Sequence, residues 1–164
     1  MYGSMRTLLA LAVIAIVSLP AVSSAADKAF DPCSLLTPSE IQAVVGKPVQ
    51  AGTPKVQSNP ASGANCTYVV GDIGSLNILV KPLQSYETPE GIKAQFAKMK
   101  MTPVDVAGLG DAAFFTSPGF AMVQLHAFKS AKYLLITLLV PGLKEPDVRP
   151  LAETLMKTVV TRIK

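Results

Sequence analysis

Three side chains in this 164-residue chain could carry reactive chemistry: Cys33, Cys66 and the single histidine, His126. Cys33 lies in "FDPCSLLTPSEIQAVVG", just ahead of a helix start, where a thiol can be activated as a nucleophile. It stands four residues before the helix cap, however, and a second cysteine is available to oxidise it. In an exported chain the two are most simply read as a disulfide, Cys33 to Cys66. Lipidation would need the cysteine at the first mature position, but Phe30-Asp31-Pro32 precede it and the charged Asp27 and Lys28 intervene.

His126 would need further ligands to hold a metal, or a nucleophile it could activate. Neither is spaced for it, so the sequence calls for no metal and no cofactor. The reading that remains is a strand histidine, hydrogen-bonded or half exposed. "GLGDAAFF" contains a G-x-G but lacks the third glycine and the βαβ setting of a dinucleotide site. It reads as a turn in which Gly108 and Gly110 supply positive φ and Asp111 caps. Glu87 and Glu90 flank a helix start, where the helix dipole favours them, and there is no G-x-S-x-G elbow.

The compartment follows from the first 25 residues. Arg6, the apolar stretch Leu8 to Leu19, Pro20 and the small residues to Ala26 have the order of a secretory signal peptide. Cleavage after Ala25 fits best, leaving a single domain over residues 26–164. The apolar run is about a dozen residues, short of the roughly 20 that span a bilayer, so no stable membrane anchor is expected after cleavage. The expected location is periplasmic or secreted. Fifteen Lys and Arg against eleven Asp and Glu give a net charge of +4. The basic residues are scattered and form no stripe with interleaved aromatics, so no nucleic-acid partner is expected.

The elements that must position these residues can be read from periodicity and caps. In "LTPSEI", Thr37 is an N-cap, Pro38 takes the first helical position and Glu40 completes a capping box. Leu36 and Ile41 are placed as a hydrophobic staple, and Gly46 stops the helix. Between Lys47 and Asn65 there is at best one short strand, around Pro48 to Val56, followed by a loop from Ser58 to Asn65. "CTYVV" and "LNILVKPL" flank the turn Gly71 to Gly74 as a hairpin. Thr88-Pro89 opens a second helix carrying Ile92, Phe96 and Met99. Strands at Val104 to Ala107 and Ala112 to Thr116 follow, and then a turn at Ser117-Pro118-Gly119. "FAMVQLHAFK" and "KYLLITLLV" form a hairpin around Ser130-Ala131, pairing Phe128 with Tyr133, His126 with Leu135 and Gln124 with Thr137. Pro146 to Ile163 is the last helix. The expected fold is α+β: one antiparallel, hairpin-rich sheet of about six strands packed with about three helices.

Strict alternation gives the last hairpin two unlike faces. Val123, Leu125 and Ala127 meet Leu134, Ile136 and Leu138 on an aliphatic face that must be core. The other face is apolar with polar tips: Phe120, Met122, Gln124, His126, Phe128, Tyr133, Leu135, Thr137 and Leu139. Met122, Gln124, His126, Phe128, Tyr133 and Thr137 make this the candidate ligand face, unless a helix covers it.

"DPCSLLTPSEIQAVVG", "CTY" some thirty residues on and "GLGDAAFF" together resemble a family of small exported bacterial envelope proteins and lipoproteins of uncharacterised function. The resemblance covers most of residues 26–164 and implies the fold and the disulfide, without an activity. Tyr68 stands where that pattern has tryptophan, and there is no lipobox, so lipoprotein status does not carry over. The leading expectation is an envelope-associated, non-enzymatic binding or accessory module for a small apolar ligand or an envelope protein. The alternatives are a hydrolase or transferase with a site around His126, and a structural or inhibitor-like partner of another envelope protein.

Overall fold

The structure, a computed structural model, describes residues 30–56 and 59–164; the expected signal peptide lies outside them. A short 3-10 turn, Pro32–Leu35, leads into α1 (Pro38–Val45), whose start carries the full capping box. Glu40 N–H donates to Thr37 Oγ1 at 3.3 Å, and Thr37 N–H donates to Glu40 Oε2 at 2.8 Å. Gly46 closes the helix in the left-handed conformation at φ 66°. Leu36 and Ile41, either side of the cap, are both buried.

The strands are β1 (Thr53–Val56), β2 (Ala64–Val70), β3 (Gly74–Pro82), β4 (Val104–Asp105), β5 (Ala112–Gly119), β6 (Met122–Lys129) and β7 (Lys132–Leu139), with α2 (Pro89–Lys98) after β3 and α3 (Glu145–Arg162) at the end. They form one sheet in the order β1-β2-β3-β7-β6-β5-β4, every neighbour antiparallel. Seven strands replace the expected six or so. The Lys47–Asn65 stretch supplies a complete edge strand, with Val49 making an isolated bridge to Val70. Asn65 and Ala64 also belong to β2 rather than to the preceding loop. The architecture is two meanders, β1-β2-β3 and β4-β5-β6-β7, joined along a β3–β7 seam.

The last hairpin has the predicted register: Phe128 faces Tyr133, His126 faces Leu135 and Gln124 faces Thr137. Its turn places Ser130 at φ 51° and Ala131 at φ 57°, the positive φ that two-residue hairpin turns require. Neither residue is at ease there. Replacing Ser130-Ala131 by Asn-Gly is expected to stabilise the protein by about 1 kcal/mol, checked as a higher urea midpoint with an unchanged slope.

The turn between β5 and β6 differs from expectation. Ser117, Pro118 and Gly119 remain in β5, with a register irregularity between Thr116 and Gly119, and the chain reverses at Phe120 and Ala121, at φ 56° and 57°. Pro-Gly is the usual turn signal, but here the proline lies along the part of β5 that β4 does not pair, where its missing N–H breaks no ladder.

Each face of the sheet is covered differently. Ile78, Leu125, Ile136 and Leu138 are fully buried on one face beneath α1 and α3, in a core that includes Ile41, Val148, Leu155 and Val159. Leu109 of the "GLGD" turn is buried in the same core. Gly110 sits so close to β6 that a Cβ would meet the Phe128 carbonyl at 2.3 Å, and its φ is 68°. Asp111 does not cap its own turn. Its N–H donates to Phe128 O at 2.7 Å, and its carboxylate accepts from Ser130 N–H in the neighbouring hairpin at 3.3 Å. The motif is a plug and a clip between two turns. On the opposite face, among the described residues, only α2 is laid down, and no residue of α2 is fully buried.

Candidate functional site

The disulfide is present, with the Cα atoms of Cys33 and Cys66 5.1 Å apart, and no free cysteine remains among the described residues. It does not act alone. Tyr68, buried two residues along β2 from Cys66, donates its hydroxyl to Leu36 O at 2.6 Å, with Cys33 O 3.1 Å away. Burial, aided by the negative charges of Asp31 and Glu40, pushes that phenol up to about 12. From the other end of the chain, Arg162 on α3 donates to Leu35 O at 2.7 Å and pairs with Glu40. The arginine, with the Thr37 cap, holds the Glu40 carboxyl at about 2. Gly52 completes the cluster: a Cβ there would lie 2.5 Å from Cys66 Sγ and 2.6 Å from the Tyr68 ring. This is a structural fastening, and its polar groups are engaged with one another. Tyr68→Phe keeps the ring but leaves a buried carbonyl without its donor. It is expected to cost about 1–3 kcal/mol, read from urea unfolding.

His126 is fully buried and joined to two hydroxyls. Its Nε2 is 2.8 Å from Thr116 Oγ1, and its Nδ1 is 2.6 Å from the Tyr133 hydroxyl. Thr116 donates its own proton to Gln124 Oε1 at 3.2 Å. The direction of the whole chain follows. Thr116 oxygen must accept from Nε2–H, so Nδ1 is the unprotonated nitrogen of a neutral imidazole and accepts from the tyrosine. In this arrangement His126 takes no proton from Thr116, and both hydroxyls are enclosed. Burial lowers the imidazole pKa to about 4, and burial together with the charge of Glu87 raises the phenol of Tyr133.

Aromatic rings surround the network. Phe114 stacks on His126 with centroids 4.5 Å apart, Phe96 from α2 tilts against it at 4.7 Å, and Phe128 meets Tyr133 at 5.4 Å. Two lysines mark the margin. Lys81 lies 5.5 Å over the Tyr133 ring and pairs with Glu87; Lys93 lies 5.8 Å over Phe114 and pairs with Asp105 at 2.7 Å.

The six residues of the candidate ligand face are thus divided by α2. His126, Phe128 and Tyr133 are buried, with Ile92 and Phe96 of the helix packed against this cluster. Met122, Gln124 and Thr137, with Leu139, stay partly exposed towards the far end of the strands. That end continues into open apolar surface: Val69 is 38 % exposed, Ile73 in the β2–β3 turn 79 % and Phe120 in the β5–β6 turn 95 %. The registers put both turns at the same end of the sheet. With β3, β7 and β6 between β2 and β5, the tips are about 14 Å apart. Phe120 was visible in the sequence as a member of the mixed face; Ile73 was hidden in a turn and gave no signal of its own.

No family model, curated protein or solved structure matches the chain. No group of three or more metal-ligating side chains occurs among the described residues, and no described helix is long and apolar enough to cross a membrane.

α2 is held lightly. Its anchors are two partly buried side chains, Ile92 and Phe96, and the peripheral Lys93–Asp105 pair, with Lys81–Glu87 tying the segment just before it. Exposed pairs contribute about 0–1 kcal/mol each, and a fully buried Ile or Phe about 1.5–3 kcal/mol. Because Ile92 and Phe96 are only partly buried, the helix rests on a few kcal/mol, near or below the low end of the roughly 5–15 kcal/mol that stabilises a domain.

Proposed function

We propose that the protein is an exported, non-enzymatic binding module that docks onto an envelope protein through the open end of its sheet. The contact residues are Phe120 and Ile73 at the tips, and Met122, Leu139 and Val69 on the face behind them, with Gln124 and Thr137 supplying hydrogen bonds.

The observation that carries this reading is Phe120. It combines 95 % exposure with a left-handed backbone at φ 56°. A bulky residue there costs about 1–2 kcal/mol relative to glycine and contributes nothing to the core. Strain of this kind clusters at sites of interaction. The surface is a broad, partly exposed sheet face, which suits a protein better than a small ligand that must be enclosed. Its margin carries Asp72 in the β2–β3 turn, Lys47 packed beside that turn, and Lys144 ahead of the Glu145–Arg149 pair at the start of α3, charges of both signs rather than the basic cluster that binds an anionic lipid surface. Export itself rests on the leader-like first 25 residues and agrees with the disulfide. The resemblance to exported envelope proteins points the same way.

Phe120→Gly should therefore have opposite effects on stability and binding. Unfolding free energy is expected to rise by about 1 kcal/mol, while a partner retained from envelope extracts by the wild type is lost. Leu139→Asp, on the face rather than the tip, should lose the same partner. A partner that binds both variants as tightly as wild type, or retention on lipid vesicles alone, would overturn the proposal.

A further inference from the structure

None of the hydrogen bonds in the Tyr133–His126–Thr116–Gln124 chain involves α2. Lifting the helix would therefore leave every polar group of the network paired. What it would uncover is a preformed aromatic floor: Phe114, His126, Phe128 and Tyr133, all on β5, β6 and β7. Only Ile92 and Phe96 of the helix belong to that cluster, and Phe96 occupies the position over the imidazole. The segments on either side are also exposed. Tyr86 before the helix is 81 % exposed, Met99 at its end is 56 % exposed, and Lys100 beyond it is left-handed at φ 61°.

We infer that α2 is a lid over a second, closed binding site, which opens without unfolding the sheet and admits a flat apolar molecule in place of Phe96 against His126. The floor supplies four neighbouring aromatic rings on one face of the sheet. Lys81, on β3, lies over Tyr133 and stays at the margin when the helix lifts, whereas Lys93 belongs to α2 and lifts with it, giving up its place over Phe114 and its pair with Asp105 on β4. This site is separate from the sheet end assigned to a protein partner, and neither depends on the other.

The test uses the disulfide-bonded protein and an uncharged flat probe, N-phenyl-1-naphthylamine. Amides of α2 should exchange by a local opening, at least about tenfold faster than those of β6 and β7. Thr88→Ala removes the helix cap and should accelerate α2 exchange by roughly three- to thirtyfold while β6 and β7 are unchanged. Phe96→Ala empties the position over the imidazole and should tighten probe binding about tenfold. Probe-induced shifts should fall on the His126 and Phe114 ring protons. Joint acceleration of α2 and β6 in Thr88→Ala would overturn the inference even if Phe96→Ala fails to fold. So would shifts confined to Met122 and Leu139, or a folded Phe96→Ala protein that binds no probe.

Discussion

Replacing both Cys33 and Cys66 by alanine is expected to lower the unfolding free energy by about 4 kcal/mol. The two cysteines are 33 positions apart, and the chain-entropy relation for a loop of that length gives this figure. The melting temperature should fall by roughly 10–20 °C. The loss has a local meaning as well. The bond holds the segment Pro32–Leu36 over the core, where Leu35 and Leu36 are 2 % and 1 % exposed. Tyr68 and Arg162 reach the carbonyls of the same segment but cannot constrain the unfolded chain. Combining Tyr68→Phe with the double alanine variant should thus cost more than either change, with sub-additive coupling because both act on one segment. A free-thiol assay on the folded wild-type protein should find none; two reactive thiols would refute the fastening.

The second large effect is a loss of stability in acid that belongs to one residue. His126 is an ordinary imidazole near 6.5 in the unfolded chain and falls to about 4 in the folded protein because burial disfavours its charge. Above pH 6.5 it is neutral in both states and contributes no slope. As pH falls from 6.5 to 4 the unfolded chain takes up a proton that the folded protein refuses, so stability is lost, by about 3 kcal/mol across the window. Below pH 4 this contribution is constant. The groups facing the imidazole offer no relief: Tyr133 is a neutral phenol, Lys81 and Lys93 are cations, and Glu87 and Asp105 are engaged with those lysines. His126→Gln should be less stable near neutrality, through lost hydrogen bonds, and should lack this slope between pH 6.5 and 4. The two stability curves should therefore converge in acid. Urea unfolding across that range measures both, and parallel curves would contradict the mechanism. A separate decline is expected below about pH 4.5, where Glu40, held at about 2 chiefly by Arg162, begins to lose its advantage over the unfolded carboxyl.

What could be read in advance was local. The Thr37-Pro38-Glu40 start specifies α1 because the cap, the imide and the reciprocal carboxylate all act within four residues. The last hairpin is equally legible, since a two-residue turn and strict alternation leave one register that buries the aliphatic face. The misread turn at Ser117–Gly119 has a different cause. Its true centre, Phe120-Ala121, is left-handed at residues with no preference for that conformation, so nothing local announces it. The partners of Tyr68, Asp111 and Arg162 lie 17 to 127 positions away, beyond any spacing rule. The division of the candidate face is of the same kind. Ile92 and Phe96 predict an amphipathic helix, but only the assembled sheet decides that ten residues of helix cover His126 and leave Met122 and Leu139 open.

The β3–β7 seam also imposes an order of events on folding. Each meander can assemble from neighbours in the chain, but the seam joins Pro82 to Lys132 and Ser75 to Leu139. Closing a loop of that span is slow relative to hairpin formation. Until it closes, β3 presents an unpaired edge bearing Leu76, Ile78 and Val80, residues that are buried once the sheet is complete. A chain delivered from its N-terminal side would expose that edge throughout delivery of the second meander. Oxidation of Cys33 and Cys66, both upstream of β3, can precede the seam and tie the first meander before its edge is claimed. The waiting edge of β3, more than either completed sheet margin, is therefore where aggregation during production would begin.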